Sequence, residues 1–206
     1  MTKSVLTPPA ISRHSNGDFF WTVDRYHLAI DNGIFGEDDK VELIHGKIVN
    51  KMPAGAPHEE CITLLAEYFR DRFGKQFRYR QEKSINLAEL ASEPEPDFAV
   101  VKDKKYGTYR PAITDIYLLI EVANTSLDKD RSRKAELYAQ AGLPEYWIVN
   151  LADRQIEVHL QPQPEQGRYG SVVTYTEQAT FTSPFAGEVT VAELLPDPTA
   201  PAPAPH

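Results

Sequence analysis

Residues 116–123, IYLLIEVA, have the β-branched and aromatic make-up of a strand buried on both faces, yet they include a carboxylate, Glu121. An ionised carboxylate in such surroundings is heavily penalised unless a cation, a proton or water meets it. A strand end reaching solvent, or an ion pair with an arginine, would also account for it. A second acid, Asp97, opens PDFAVV, and the two-residue period of a strand puts it in line with Ala99 and Val101, as it puts Glu121 in line with Tyr117 and Leu119. Residues 102–115 are enough chain for the two strands to return side by side, so Asp97 and Glu121 can converge although 24 positions separate them. Paired carboxylates suit a hard cation, Mg²⁺ or Mn²⁺, with positions left for water and a phosphate oxygen. A lysine beside such a pair would orient the attacking water or offset charge building at phosphorus. Position 123, two after the glutamate, is Ala, which leaves Lys134, on the helix after this strand, as the candidate. A surface lysine is the ordinary alternative.

The elements that must carry these residues are legible in outline. Thr22 can cap a short helix to Ile30, with Gly33 ending it. VELIHGKIVNKM predicts two short strands about a His45–Gly46 turn. From Pro57 to Phe73, Ile62, Leu65, Ala66, Phe69 and Phe73 recur on one helical face, and Gly74 stops the run. FRYRQEKSINL and PDFAVV read as strands. A second long helix runs from Asp128 or Lys129 to Ala141 before the stop at Gly142 and Pro144. YWIVNLADRQIEVHL reads as a hairpin turning near Ala152–Asp153, with a strand around Val172–Tyr175 and a short helix from Val191 to Leu195. These elements predict a mixed α/β unit built around one sheet flanked by helices.

Composition narrows the function classes. The chain has 206 residues, 41% of them hydrophobic, enough for one folded unit with a substantial core. We expect an N-terminal extension over 1–20, a domain over 21–195 and a Pro/Ala-rich tail over 196–206. A single cysteine, Cys61, excludes an internal disulfide framework and a cysteine-based zinc cluster. With no secretory signal pattern and no apolar stretch of about 20 residues, the expectation is a cytoplasmic protein without membrane association. The formal net charge of -8 argues against a duplex binder that works by bulk electrostatics, while leaving room for a local basic groove. Basic residues cluster in Arg70, Arg72, Lys75, Arg78, Arg80 and Lys83, and again in Lys129, Arg131, Arg133 and Lys134. Walker A, GxGxxG and GxSxG motifs are absent. Cys61 and His58, one helical turn apart, have the spacing of a thiol dyad, but Cys61 on an apolar helix is ordinarily a small buried hydrophobe.

The succession VELIHGKIV, MPAGAPH, EPDFAVV, LLIEVANTS and DRSRKAELYAQAGLPEYWIV resembles the Uma2 family, a domain with the restriction-endonuclease-like PD-(D/E)XK fold, over roughly residues 20–195. The resemblance implies a divalent-metal phosphodiesterase site built from Asp97 and Glu121, with Lys134 similar to the family's helix-borne lysine and Ala123 departing from the general nuclease pattern. It also brings Glu42 and His58 to family motif positions near the site: Glu42 to hold a second cation or orient Lys134, His58 to bind phosphate or support a ligand. By this resemblance the chain is expected to be a Mg²⁺- or Mn²⁺-dependent endonuclease acting on DNA, and a homodimer is expected on the same ground. The alternative is a non-catalytic nucleic-acid-binding or oligomeric scaffold that retains the fold.

Overall fold

Apolar residues at helical spacing make α2 (Ala56–Phe73) the principal helix of the protein; Pro57 sits in its first turn, and Gly74, at φ 57°, closes it by donating its N–H to the Arg70 carbonyl. In this computed structural model, which describes residues 19–36, 38–51, 55–123 and 129–198, the helix lays Cys61, Ile62, Leu65, Ala66 and Phe69 against one face of a six-stranded sheet. Phe69 is the hub, fully buried, with Phe98, Trp147 and Phe185 at ring-centroid distances of 5.5, 6.1 and 6.3 Å.

The sheet runs in the order β3 (Phe77–Gln81), β4 (Phe98–Lys102), β5 (Ile116–Ala123), β6 (Glu145–Asn150), β7 (Gln155–Gln163) and β8 (Arg168–Thr176). Every neighbouring pair is antiparallel except β5 and β6. Those two are parallel because α3 (Lys129–Gln140) carries the chain across between them. Leu137, Tyr138 and Ala139 pack that helix on the face opposite α2.

Two hairpins complete the layers. β1 (Val41–Ile44) and β2 (Lys47–Asn50) meet at His45–Gly46, where φ is 47° and 71°, the conformation a two-residue turn of the I′ type requires. α1 (Val23–Asp31), capped by the Thr22 hydroxyl, packs Val23 and Tyr26 against Leu43 behind this hairpin. β9 (Thr180–Ser183) and β10 (Gly187–Thr190) form a second hairpin, absent from the sequence expectation, that covers the α2 face with Phe181 and Val189. The expected C-terminal helix is a 3₁₀ turn, Val191–Leu194.

Three local expectations are corrected. The strand expected over FRYRQEKSINL stops at Gln81, because Glu82 takes a left-handed φ of 48°. Tyr117 does not share a face with Leu119 and Glu121: β4 and β5 slip in register between Val100 and Val101, so Tyr117 lies opposite no residue and its ring meets Phe77 and Phe185 on the α2 side. The basic run 70–83 does not form one groove. Tyr79 turns toward Phe69 and Phe98, which sends Arg78 and Arg80 to the face away from α2 and its Arg70 and Arg72. The expected extension and tail fall outside the described residues except at 19–20 and 196–198, as do the side chains of Lys129 and Arg131. Among the described residues no helix is long and apolar enough to cross a membrane.

Candidate functional site

Asp97 lies immediately before β4, and its Oδ2 accepts the backbone N–H of Val122 at 2.8 Å. The carboxylate thus takes the place of a strand partner for β5 and sits beside Glu121, one residue earlier in that strand. His58, in the first turn of α2, brings Nε2 to 3.1 Å from the same oxygen. Lys51, just past β2, places Nζ 3.6 Å from Asp97 Oδ1 and 3.2 Å from Glu95 Oε1.

Glu121 is held from the other helix. Lys134 Nζ lies 3.1 Å from its Oε1, and the Tyr138 hydroxyl donates to that oxygen at 2.9 Å. Lys134 and Tyr138 are four residues apart on α3 and share a helical face, so one turn of helix delivers both. Glu42, from β1, closes the group: its Oε2 lies 3.2 Å from Lys134 Nζ and accepts the Glu95 backbone N–H at 3.0 Å. Glu42, His58, Asp97, Glu121 and Lys134 are therefore neighbours. Lys51 and Glu95 join them unforeseen, and so does Tyr138, which by its helix-face periodicity reads as packing rather than chemistry. Their signals were weak: a lone lysine after a hairpin, an acid two before Asp97, and a tyrosine four after Lys134.

These groups perturb one another. Burial pushes the Glu121 carboxyl up to about 7, against the pull of Lys134 and with the negative charges of Asp97 and Glu42 adding to the rise. Burial also opposes ionisation of Asp97, but the His58 hydrogen bond, the Lys134 charge and the Val122 amide together hold it below the usual range. Lys134 stays firmly protonated, because Glu121, Glu42 and Asp97 outweigh the cost of burying an ammonium, and Lys51 is raised in the same way by Asp97, Glu95 and Glu121. The hydrogen bond to Asp97 raises His58 despite its burial, and its Nδ1 is sealed without a partner among the described residues. Both lysines feel the charge of both central carboxylates, so Asp97 and Glu121 belong to one electrostatic site. A small cleft of about 30 Å³ opens beside it, lined by Glu42, Ile44, Val49, Asn50, Arg133 and Lys134.

Cys61 takes no part. Its thiol donates to the Leu194 carbonyl at 3.4 Å, and burial pushes its pKa up to about 12, so the sequence spacing with His58 does not make a dyad.

Three comparisons bear on this arrangement. Residues 23–193 match the Uma2 family, described as "Putative restriction endonuclease". Among solved structures, the chain resembles the crystal structure of "a putative nuclease belonging to DUF820" from Anabaena variabilis ATCC 29413, with a TM-score of 0.59 and 16% sequence identity over 84% of this chain and 96% of that one. No curated protein matches significantly. At that identity the structural likeness speaks for a shared nuclease-like fold, while the match over most of the folded unit speaks for kinship. The chain belongs to the Uma2 family.

Proposed function

We propose that the protein is a divalent-metal-dependent endonuclease that hydrolyses DNA phosphodiester bonds, with Asp97 and Glu121 as ion ligands. The observation that carries this reading is that Asp97, just before β4, is hydrogen-bonded to the residue after Glu121 on the neighbouring β5, with the Lys134 ammonium against Glu121. Family membership points the same way.

The residues suit Mg²⁺ or Mn²⁺. The donors are hard carboxylate oxygens, and burial together with Asp97 and Glu42 drives Glu121 up to about 7, a surplus of negative charge that a divalent cation would relieve. Among the described residues no group of three or more His, Cys, Asp or Glu side chains that could hold a metal ion is found; Asp97 and Glu121 would be a two-carboxylate site, the kind Mg²⁺ uses together with a substrate phosphate. When bound, such an ion supplies Lewis-acid activation of the phosphoryl oxygen and of water.

The chain's own groups divide the remaining work. Lys134 offsets charge developing on the phosphate oxygens and orients the attacking water, standing in for the lysine that Ala123 lacks. Glu42 and Tyr138 hold Lys134 and Glu121 in place. His58 and the Val122 amide fix the Asp97 carboxylate in one orientation.

The test is nicking of supercoiled plasmid with Mg²⁺ or Mn²⁺, comparing wild type with Asp97→Asn and Glu121→Gln. Each variant should lose at least about 100-fold in rate. Cleavage at wild-type rates by both would remove this mechanism. A calorimetric Mn²⁺ titration adds a readout independent of turnover: ion binding that Asp97→Asn abolishes supports the enzyme, and absence of binding to the wild type supports a scaffold.

A further inference from the structure

The loop after β4 reads KDKKYGTYR over 102–110, four cations and one acid in a chain of net charge -8. It lies on the face to which β3 sends Arg78 and Arg80. Arg78 Nε contacts Asp103 at 3.1 Å, and the Arg80 guanidinium sits 5.5 Å from the centre of the Tyr106 ring. The acids at hand are already engaged: Asp115 takes Lys104 at 2.6 Å and Lys102 at 3.8 Å, and Glu93 takes Arg110 at 2.9 Å and His27 at 2.6 Å. Arg78, Arg80, Lys102, Lys104, Lys105 and Arg110 therefore outnumber Asp103, Glu93 and Asp115.

Arg80 shows the imbalance most directly. It has no carboxylate partner among the described residues; its one hydrogen bond goes to the Ser84 carbonyl at 3.2 Å, and its Nε is sealed with no partner. Packing against Tyr106 accounts for the position of its plane and leaves its charge uncompensated beside Arg78 and Arg110. Next to it Tyr109 stands 51% exposed, edge-on to Tyr106 at 5.4 Å, while Tyr106 is tied down through its hydroxyl to the Lys102 carbonyl. Cations in excess of acids, together with an exposed ring on a fixed support, make the combination that grips a phosphodiester backbone and stacks an unpaired base. The patch is also near the carboxylates. Arg80 pairs with Ala99, one strand across and two residues along from Asp97, roughly 8 Å at the level of the backbone.

We infer that Arg80, Lys105 and Tyr109, with the loop between β4 and β5, form a binding surface for single-stranded DNA, adjoining but separate from the Asp97–Glu121 site. The inference extends the nuclease reading by assigning the strand a path beyond the scissile phosphate, and its readout requires no cleavage.

The experiment is fluorescence anisotropy of a labelled thymidine oligonucleotide of about 12 nucleotides with the full chain in EDTA, over a salt series. Tyr109→Ala and Lys105→Glu should each weaken binding at least about fivefold. Lys105→Glu should also flatten the log–log salt slope by about 0.7 or more. Arg80→Gln should behave like the other two, but it is half-buried, so the exposed Tyr109 and Lys105 carry the decision. Unchanged affinity in both exposed variants overturns the surface whether or not the protein cuts DNA. Tyr109-dependent binding by a protein that cuts nothing with any metal upholds the surface and removes the nuclease reading.

Discussion

Val122 donates its backbone N–H to Asp97 Oδ2 at 2.8 Å, so a side chain completes the hydrogen bonding of β5 at the residue after Glu121. A carboxylate in this position serves the fold and the chemistry together. Asp97→Ala strands the Val122 N–H and the His58 imidazole without an acceptor and should cost about 2 to 3 kcal/mol, read from urea unfolding. Asp97→Asn retains an amide oxygen for Val122 and should recover much of that loss while remaining inactive. Equal stability of the two variants would show that this hydrogen bond contributes little.

Lys134 is the cation shared by Glu42 and Glu121. Its replacement in Lys134→Met leaves two buried acids facing an apolar chain, and about 3 kcal/mol of stability should go with it. Adding Glu42→Gln should return part of the loss, a coupling that a double-mutant cycle measures directly. Strict additivity would mean that Glu42 does not position the lysine.

Glu145, at the start of β6, accepts from Trp147 Nε1 at 2.8 Å and from the Phe185 N–H at 3.1 Å, yet burial still raises its pKa. The folded state then holds this proton more tightly than the unfolded chain does. Stability contributed by Glu145 therefore falls as pH rises through the ordinary carboxylate value toward the raised one, and the loss persists above it. Glu145→Gln should gain on the wild type between about pH 4 and pH 7, whatever constant offset its amide introduces. Urea midpoints at both ends of that range check the sign.

A methyl group at position 46 would come within 2.8 Å of Phe20 Cδ1 and 2.9 Å of its Cβ, at a φ of 71° that suits glycine. Gly46→Ala should cost about 2 kcal/mol or more and disturb the hairpin that holds Glu42. A drop in cleavage larger than the drop in stability would show that hairpin geometry matters to the site.

Cys61 is fully buried with its pKa pushed up to about 12. It should resist an aromatic disulfide reagent at about pH 8 in the folded protein and react at once in denaturant. Rapid labelling of the native state would show that α2 opens readily from the sheet.

Local pattern carried far in some elements and failed in others for identifiable reasons. The long helix and the His45–Gly46 turn were readable because periodicity, a proline near the start, a glycine at the end and a glycine in the turn are local properties of the backbone. The β9–β10 hairpin is not legible: its four-residue strands are as short as β1 and β2, but Pro184–Phe185–Ala186 between them does not carry the two-residue turn signal that His45–Gly46 gives. The face of Tyr117 was misread because a bulge depends on the partner strand, which alternation within β5 does not contain.

The same division runs through the site. Sequence alone determined that a carboxylate in IYLLIEVA needs a partner, since burial of an ion is costly in any fold, and it made Asp97 and Lys134 candidates by position. Tertiary structure decided that Lys134 reaches Glu121 and Glu42, that His58 and Val122 share one oxygen of Asp97, and that Lys51, Glu95 and Tyr138 belong to the same group. It also turned Arg78 and Arg80 away from their basic neighbours in the chain. The physical reason is range: burial and backbone preference act within a few residues of sequence, whereas ion pairs act through space and take their members from whatever strands and helices the fold sets side by side.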